Sequence, residues 1–150
     1  MKAPMQDIII LLPGILGSAL AREGRSVWDI DVGAIGNAIF SLGGSIHDLT
    51  LSSDSSTNDR VKPTHLLANA HMIPGLWKID GYSGLVEFMY SNFEVVPGEN
   101  FFEFPYDWRL DNRISAQRLS SAVQEWLESW RGRYPNARLI LIAHSMGGLV

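Results

Sequence analysis

The sequence predicts an α/β fold with a mostly parallel sheet. Two short apolar runs without alternation, Ile8–Leu12 and residues 138–143, read as strands buried on both faces. A long amphipathic segment separates them, and helical crossovers are how parallel strands are joined. Each run ends in a glycine-bearing turn, Pro13-Gly14 and His144-Ser145-Met146-Gly147-Gly148.

In chain order, residues 15–20 read as a glycine-containing loop after the first strand. The stretch from there to about Lys62 is mixed. Within it, residues 34–42 are apolar and suit a short helix, whereas 51–60, LSSDSSTNDR, suit a surface loop. Residues 83–93 read as a helix capped by Ser83, with Leu85, Val86, Met89 and Phe93 on one face. Residues 101–108 are aromatic-rich, and Pro105 ends a strand there. Residues 114–131 form the clearest helix. Leu119, Val123, Trp126 and Trp130 share a core-facing stripe, and Gly132 with Pro135 stops it. The order is strand, loop, helix, strand, helix, strand, turn. There is no internal repeat and no dividing linker, so 1–150 is expected to be a single domain.

Composition removes several classes of function. Apolar residues make up 46% and charged residues 19% of the chain, a globular balance. The net charge is −4 and there is no Lys/Arg-rich run, so no nucleic acid partner is expected. The absence of cysteine excludes a disulfide framework, thiolate zinc and a cysteine nucleophile. His65 and His71 miss the i, i+4 spacing of a helical metal pair, and Gly43-Gly44-Ser45 lacks the lysine of a phosphate loop. No metal and no cofactor are therefore expected. No apolar run approaches the roughly 18 residues of a membrane span. A signal peptide is also not apparent, because Asp7 intrudes and Pro13 stops the apolar run early. The expectation is a soluble, cytoplasmic protein, with no feature that supports a membrane surface as partner.

The chemistry resides in Ala143-His144-Ser145-Met146-Gly147. This is the nucleophile elbow pattern G-x-S-x-G, with Ala in the first small position. A strand that turns sharply into a helix pushes one side chain out at the end of the sheet, and the residues two before and two after it must be small. Ser145 is then the nucleophile. The Met146 N–H is one oxyanion donor, at a helix start where amides are free. The second donor belongs to the loop after the first strand, and Ile15 N–H in Pro13-Gly14-Ile15 occupies that place. His144 is expected to pack under the turn rather than act as the base. In α/β-hydrolases the acid and then the histidine follow the serine. The chain is therefore expected to be the N-terminal half of an α/β-hydrolase fold that ends at its elbow, with the acid and histidine beyond Val150. As given it is expected to be inactive alone. The alternative is a truncated, non-catalytic remnant.

The segments IIILLPGILGSAL, Val27-Trp28, GYSGLVEFMYSNF, FPYDWRLDNR and LILIAHSMGGLV, in this order, resemble the lecithin:cholesterol acyltransferase-like family of α/β-hydrolases. PYDWR beside AHSMGG is the most discriminating combination. The resemblance implies a serine acyl hydrolase or O-acyltransferase that takes an acyl chain from a lipid-like ester onto Ser145 and passes it to water or an alcohol. It also implies oxyanion donors at Ile15 and Met146, although the family often has an acidic or aromatic residue where Ile15 stands. Trp28, Asp107 and Trp108 are the candidate substrate-binding residues. For Asp107 with Arg109 a structural ion pair is the favoured alternative. For Trp28, Phe40, Ile73, Leu76 and Trp77, ordinary core packing is favoured over an acyl channel.

Overall fold

The computed structural model describes residues 1–29, 60–67 and 82–150. The predicted helix at 34–42, nearly all of the predicted loop at 51–60, and Phe40, Gly43, Gly44, Ser45, His71, Ile73, Leu76 and Trp77 lie outside the described residues.

A parallel sheet of three strands forms the centre: β1 (Ile8–Leu12) lies between β5 (Phe101–Glu103) and β6 (Leu139–Ala143). All five residues of β1 are buried, as its unbroken apolar run requires. Helix α1 (Ser83–Asn92) precedes β5, and helix α2 (Asn112–Arg131) crosses from β5 to β6. The two helices cover opposite faces. Ile8, Ile10 and Leu12 pack with Leu119, Val123, Trp126 and Trp130 of α2. Ile9 and Leu11 pack with Met89, Leu85 and Val86 of α1. The period-2 alternation of β1 thus splits one apolar run between two helices.

The helices match their predicted faces, with small differences at their ends. Asp111 caps α2, its carboxylate accepting the Arg113 N–H at 2.9 Å. Phe102 stacks on Trp126 at 3.9 Å, and Trp130 donates from Nε1 to the Gln6 carbonyl at 2.7 Å, which ties α2 to both the sheet and the N-terminal segment. Helix α1 begins at Ser83 but its cap position is Tyr82, whose side chain makes no capping bond. Ser83 therefore does not hold the cap position assigned to it from sequence. The Tyr82 side chain is engaged elsewhere.

Two further readings are corrected. Residues 15–20 are not only loop: β2 (Ser18–Arg22), β3 (Arg25–Trp28) and β4 (Val61–Leu66) make an antiparallel sheet in the order β3-β2-β4. Glu23 and Gly24 turn β2 into β3 with φ of 51° and 80°. Positive φ at both positions is the pattern of a type I′ hairpin turn, and Glu-Gly is a weaker signal for it than Asn-Gly. β4 contains Pro63, a residue that argues against a strand. It is tolerated because, among the described residues, β4 pairs on one side only. The second correction concerns β6. Its partner among the described residues is β1 alone, and Ile140 and Leu141 are 36% and 50% exposed.

The entry to the sheet is clamped by charge. The Asp7 carboxylate accepts the Arg138 N–H at 2.8 Å and the Arg138 guanidinium at 3.1 Å, just before β1 and β6 pair. The Arg138 amide, helped by its guanidinium, holds the carboxyl below its ordinary value of 3.8. This contribution is complete above the ordinary value and is lost as pH falls through the lowered native one. Asp7→Asn should lower stability above about pH 4 by no more than about 1 kcal/mol, since the Arg138 side chain is solvent-screened. The difference from wild type should disappear in more acidic solution. Denaturant unfolding across pH checks this, and a pH-independent difference would contradict it.

Candidate functional site

The register of β1 with β6 builds the site. Leu12 pairs with Ala143, and the His144 N–H donates to the Leu12 carbonyl at 3.1 Å. The two turns that follow, Pro13-Gly14 and His144-Ser145, therefore leave the carboxyl ends of adjacent parallel strands side by side. This is where open α/β sheets bind ligands.

Ser145 begins a tight 3₁₀ turn, Ser145–Leu149, and has φ 52°. A serine in the left-handed region is strained, and such strain persists only where the surroundings impose it. Here they do. A methyl group at Gly147 would lie 2.5 Å from the Pro13 carbonyl oxygen and 3.0 Å from that of Leu12. Both are backbone atoms that cannot swing aside. A methyl at Gly14 would lie 2.9 Å from His144 Nδ1 and 3.1 Å from Ser145 Cβ. The two turns thus meet at glycine on each side, and the Ser145 side chain is left exposed.

The loop after β1 is held from behind. The Gly17 N–H donates to the Gly14 carbonyl at 3.0 Å, closing a turn in which Leu16 has φ 64°. That is a turn position where glycine is usual. The Trp28 indole donates to the Leu16 carbonyl at 3.1 Å. The Tyr106 hydroxyl donates to the Pro13 carbonyl at 2.9 Å, and its amide donates to Ser18 Oγ at 3.1 Å. The Trp108 indole donates to the Ser18 carbonyl at 3.1 Å, and its ring meets that of Trp28 edge to face at 5.7 Å. Burial pushes the Tyr106 hydroxyl up to about 12, with Tyr82 a smaller contributor, so it stays a donor at neutral pH.

Asp107, between these two aromatics, is 2% exposed. Its carboxylate receives Arg109 Nε at 2.8 Å and Nη2 at 2.5 Å, a buried bidentate pair. Trp28 and Trp108 thus stand behind the loop, and Asp107 is spent on Arg109. The Gly14 N–H donates to the Tyr82 hydroxyl at 2.7 Å, and that hydroxyl lies 3.0 Å from His144 Nδ1. No hydrogen bond among the described residues occupies the amides of Ile15 or Met146. His144 is exposed rather than packed under the turn, with its ring edge-on to Tyr82 at 6.0 Å. Sequence reasoning did not single out Tyr82 and Tyr106, although Tyr82 lies in GYSGLVEFMYSNF, one of the segments that carry the family resemblance. Tyr106 sits within PYDWR, and that was the available signal.

Residues 76–150 match the family model described as lecithin:cholesterol acyltransferase. The chain belongs to the lecithin:cholesterol acyltransferase family. The matched half holds Tyr82, PYDWR and the Ser145 turn, three of the four parts of the site. The fourth, the loop after β1, precedes it. An uncharacterized protein of Saccharomyces cerevisiae is 26% identical over 148 residues, covering 97% of this chain and 20% of that protein. The chain therefore spans about one fifth of the length of that curated relative. No helix among the described residues is long and apolar enough to cross a membrane.

Gly147→Ala should force the elbow away from the Pro13 carbonyl and cost about 1–3 kcal/mol, the usual range for overpacking against atoms that cannot move. Denaturant unfolding measures it. A loss under about 0.5 kcal/mol would mean that the two turns are not in contact.

Proposed function

We propose that the chain carries the nucleophile and oxyanion-binding half of a serine acyl hydrolase or O-acyltransferase that acts on lipid-like esters. One observation supports this above the others: the positive φ of Ser145 at the carboxyl end of a parallel strand, with Gly147 pressed on the Pro13 carbonyl. Positive φ occurs at other turn residues of this chain, Leu16 and Glu23 among them, and what sets Ser145 apart is its place at the carboxyl end of a parallel strand with Gly147 against the Pro13 carbonyl. An N-terminal half of an α/β-hydrolase fold accounts for it, because there the strain presents the hydroxyl to the substrate.

In this reading Ser145 Oγ attacks the ester carbonyl carbon while a base takes its proton. The tetrahedral oxyanion receives hydrogen bonds from the Ile15 and Met146 amides. Collapse breaks the bond to the alcohol, which departs with the proton the base had taken, and the acyl group stays as an ester on Ser145. Water or a second alcohol then attacks the acyl carbonyl and restores Ser145. The base and its acid follow Ser145 in the chain order of this fold class. His144 is not assigned that role, because it precedes Ser145 whereas the fold class places its histidine after the nucleophile. Trp28 and Trp108 serve the substrate through the loop they brace, Asp107 through the Arg109 pair that fixes the segment carrying Trp108, and no cofactor takes part.

A fluorophosphonate probe and a chromogenic acyl ester test this in the full-length protein. Ser145 should be the labelled residue, and Ser145→Ala should abolish labelling and lower ester turnover by about 10⁴ or more. Full activity in Ser145→Ala would sink the proposal. A wild type that is neither labelled nor active would make the chain a non-catalytic remnant.

A further inference from the structure

Tyr82 joins the two halves of the site. Its hydroxyl is 2.7 Å from the Gly14 nitrogen and 3.0 Å from His144 Nδ1, so one oxygen touches both the loop after β1 and the residue before Ser145. The space around it is built for a hydroxyl, since a methyl group at Gly17 would lie 3.0 Å from that oxygen. The ring is 9% exposed and sits at the head of α1, where the Val86 N–H donates to the Tyr82 carbonyl at 2.9 Å. Helix α1 in turn packs on Ile9 and Leu11 of β1. The hydroxyl is therefore carried on a helix whose position is set by the core and not by the loop it touches. It also occupies the Gly14 amide, which leaves Ile15 as the next donor along the loop.

We propose that Tyr82 is a positioning residue that sets the spacing between the oxyanion loop and the nucleophile elbow by bonding Gly14 and His144 at once. The inference rests on the acyl-enzyme reading of Ser145. The hydroxyl accepts the Gly14 N–H and donates its proton to His144 Nδ1, so the imidazole carries its own proton on Nε2. Burial raises the tyrosine hydroxyl above its ordinary value of 10.0, against a smaller opposing effect of the Gly14 N–H, so the donor persists at neutral pH. Without the hydroxyl, the Gly14 amide and the imidazole lose their common partner and the two turns are free to separate. A displacement of about 1 Å at a reacting centre costs on the order of 100-fold in rate.

The experiment uses Tyr82→Phe in the full-length protein, a change that keeps the ring and removes one oxygen. Fluorophosphonate labelling of Ser145 should slow by about 10- to 100-fold in its maximal rate, with apparent probe affinity within about twofold and the melting transition intact. A change confined to structural support would instead lower the melting transition and weaken affinity together. In wild type, ¹⁵N NMR of the imidazole should show His144 Nδ1 unprotonated and hydrogen-bonded, and in Tyr82→Phe that resonance should move. Labelling of Tyr82→Phe at the wild-type rate overturns the positioning role while the acyl-enzyme reading stands. A wild type that is not labelled at Ser145 overturns both. If Tyr82→Phe does not fold, the wild-type resonance decides: a protonated or unbonded Nδ1 overturns the inference, and a bonded, unprotonated one supports it.

Discussion

The parallel pairing of β1 with β6 is the constraint on which the rest depends. Leu12 opposite Ala143 brings two turns, distant in sequence, to adjoining ends of neighbouring strands. A slip by one residue would reverse which side chains of β1 face α1 and which face α2. Both faces of β1 are apolar and buried, each against its own helix, so side-chain shape and the Asp7–Arg138 clamp rather than polarity hold the register. The pairing places Pro13-Gly14 beside His144-Ser145.

Once the turns adjoin, the requirement for small residues follows from distances. Gly14 and Gly147 sit where a single methyl would meet the opposite turn, at 2.9 Å from a ring nitrogen and 2.5 Å from a backbone oxygen. Close approach holds Ser145 in an unfavourable backbone conformation, and the folded structure offsets the cost. Leu16, on the other turn, also has positive φ. Leu16 and Ser145 stand at the same end of the sheet, whereas Glu23 and Arg60, the other non-glycine residues of positive φ among those described, belong to the antiparallel strands' turns and ends.

The aromatic residues around PYDWR give the loop after β1 its rigidity. Tyr106, Trp108 and Trp28 each donate to a carbonyl of residues 13–18, and Tyr82 accepts the Gly14 amide. Each supplies apolar bulk and one polar atom. The segment thus satisfies buried carbonyls while it fills space, and the amides of Ile15 and Met146 are left without partners among the described residues. The buried Asp107–Arg109 pair shapes the same segment, with both side chains almost fully enclosed at 3% and 4% exposure.

Local patterns in the sequence determined the parts whose signals are local. The unbroken apolar run of β1, the stripe of Leu119, Val123, Trp126 and Trp130 on α2, and the Ser145 turn with its small flanks could all be read in order. PYDWR beside AHSMGG pointed to the family. What remained hidden depends on long-range partners. The β2-β3-β4 sheet has weak strand signals, a Glu-Gly turn and a proline, and it exists because the three strands find one another. The place of Tyr82 was decided only when α1 packed on β1 and brought a phenol hydroxyl to Gly14 and His144. Hydrophobic periodicity shows in a single segment, whereas a hydrogen bond between segments far apart in the chain exists only once packing has brought them together.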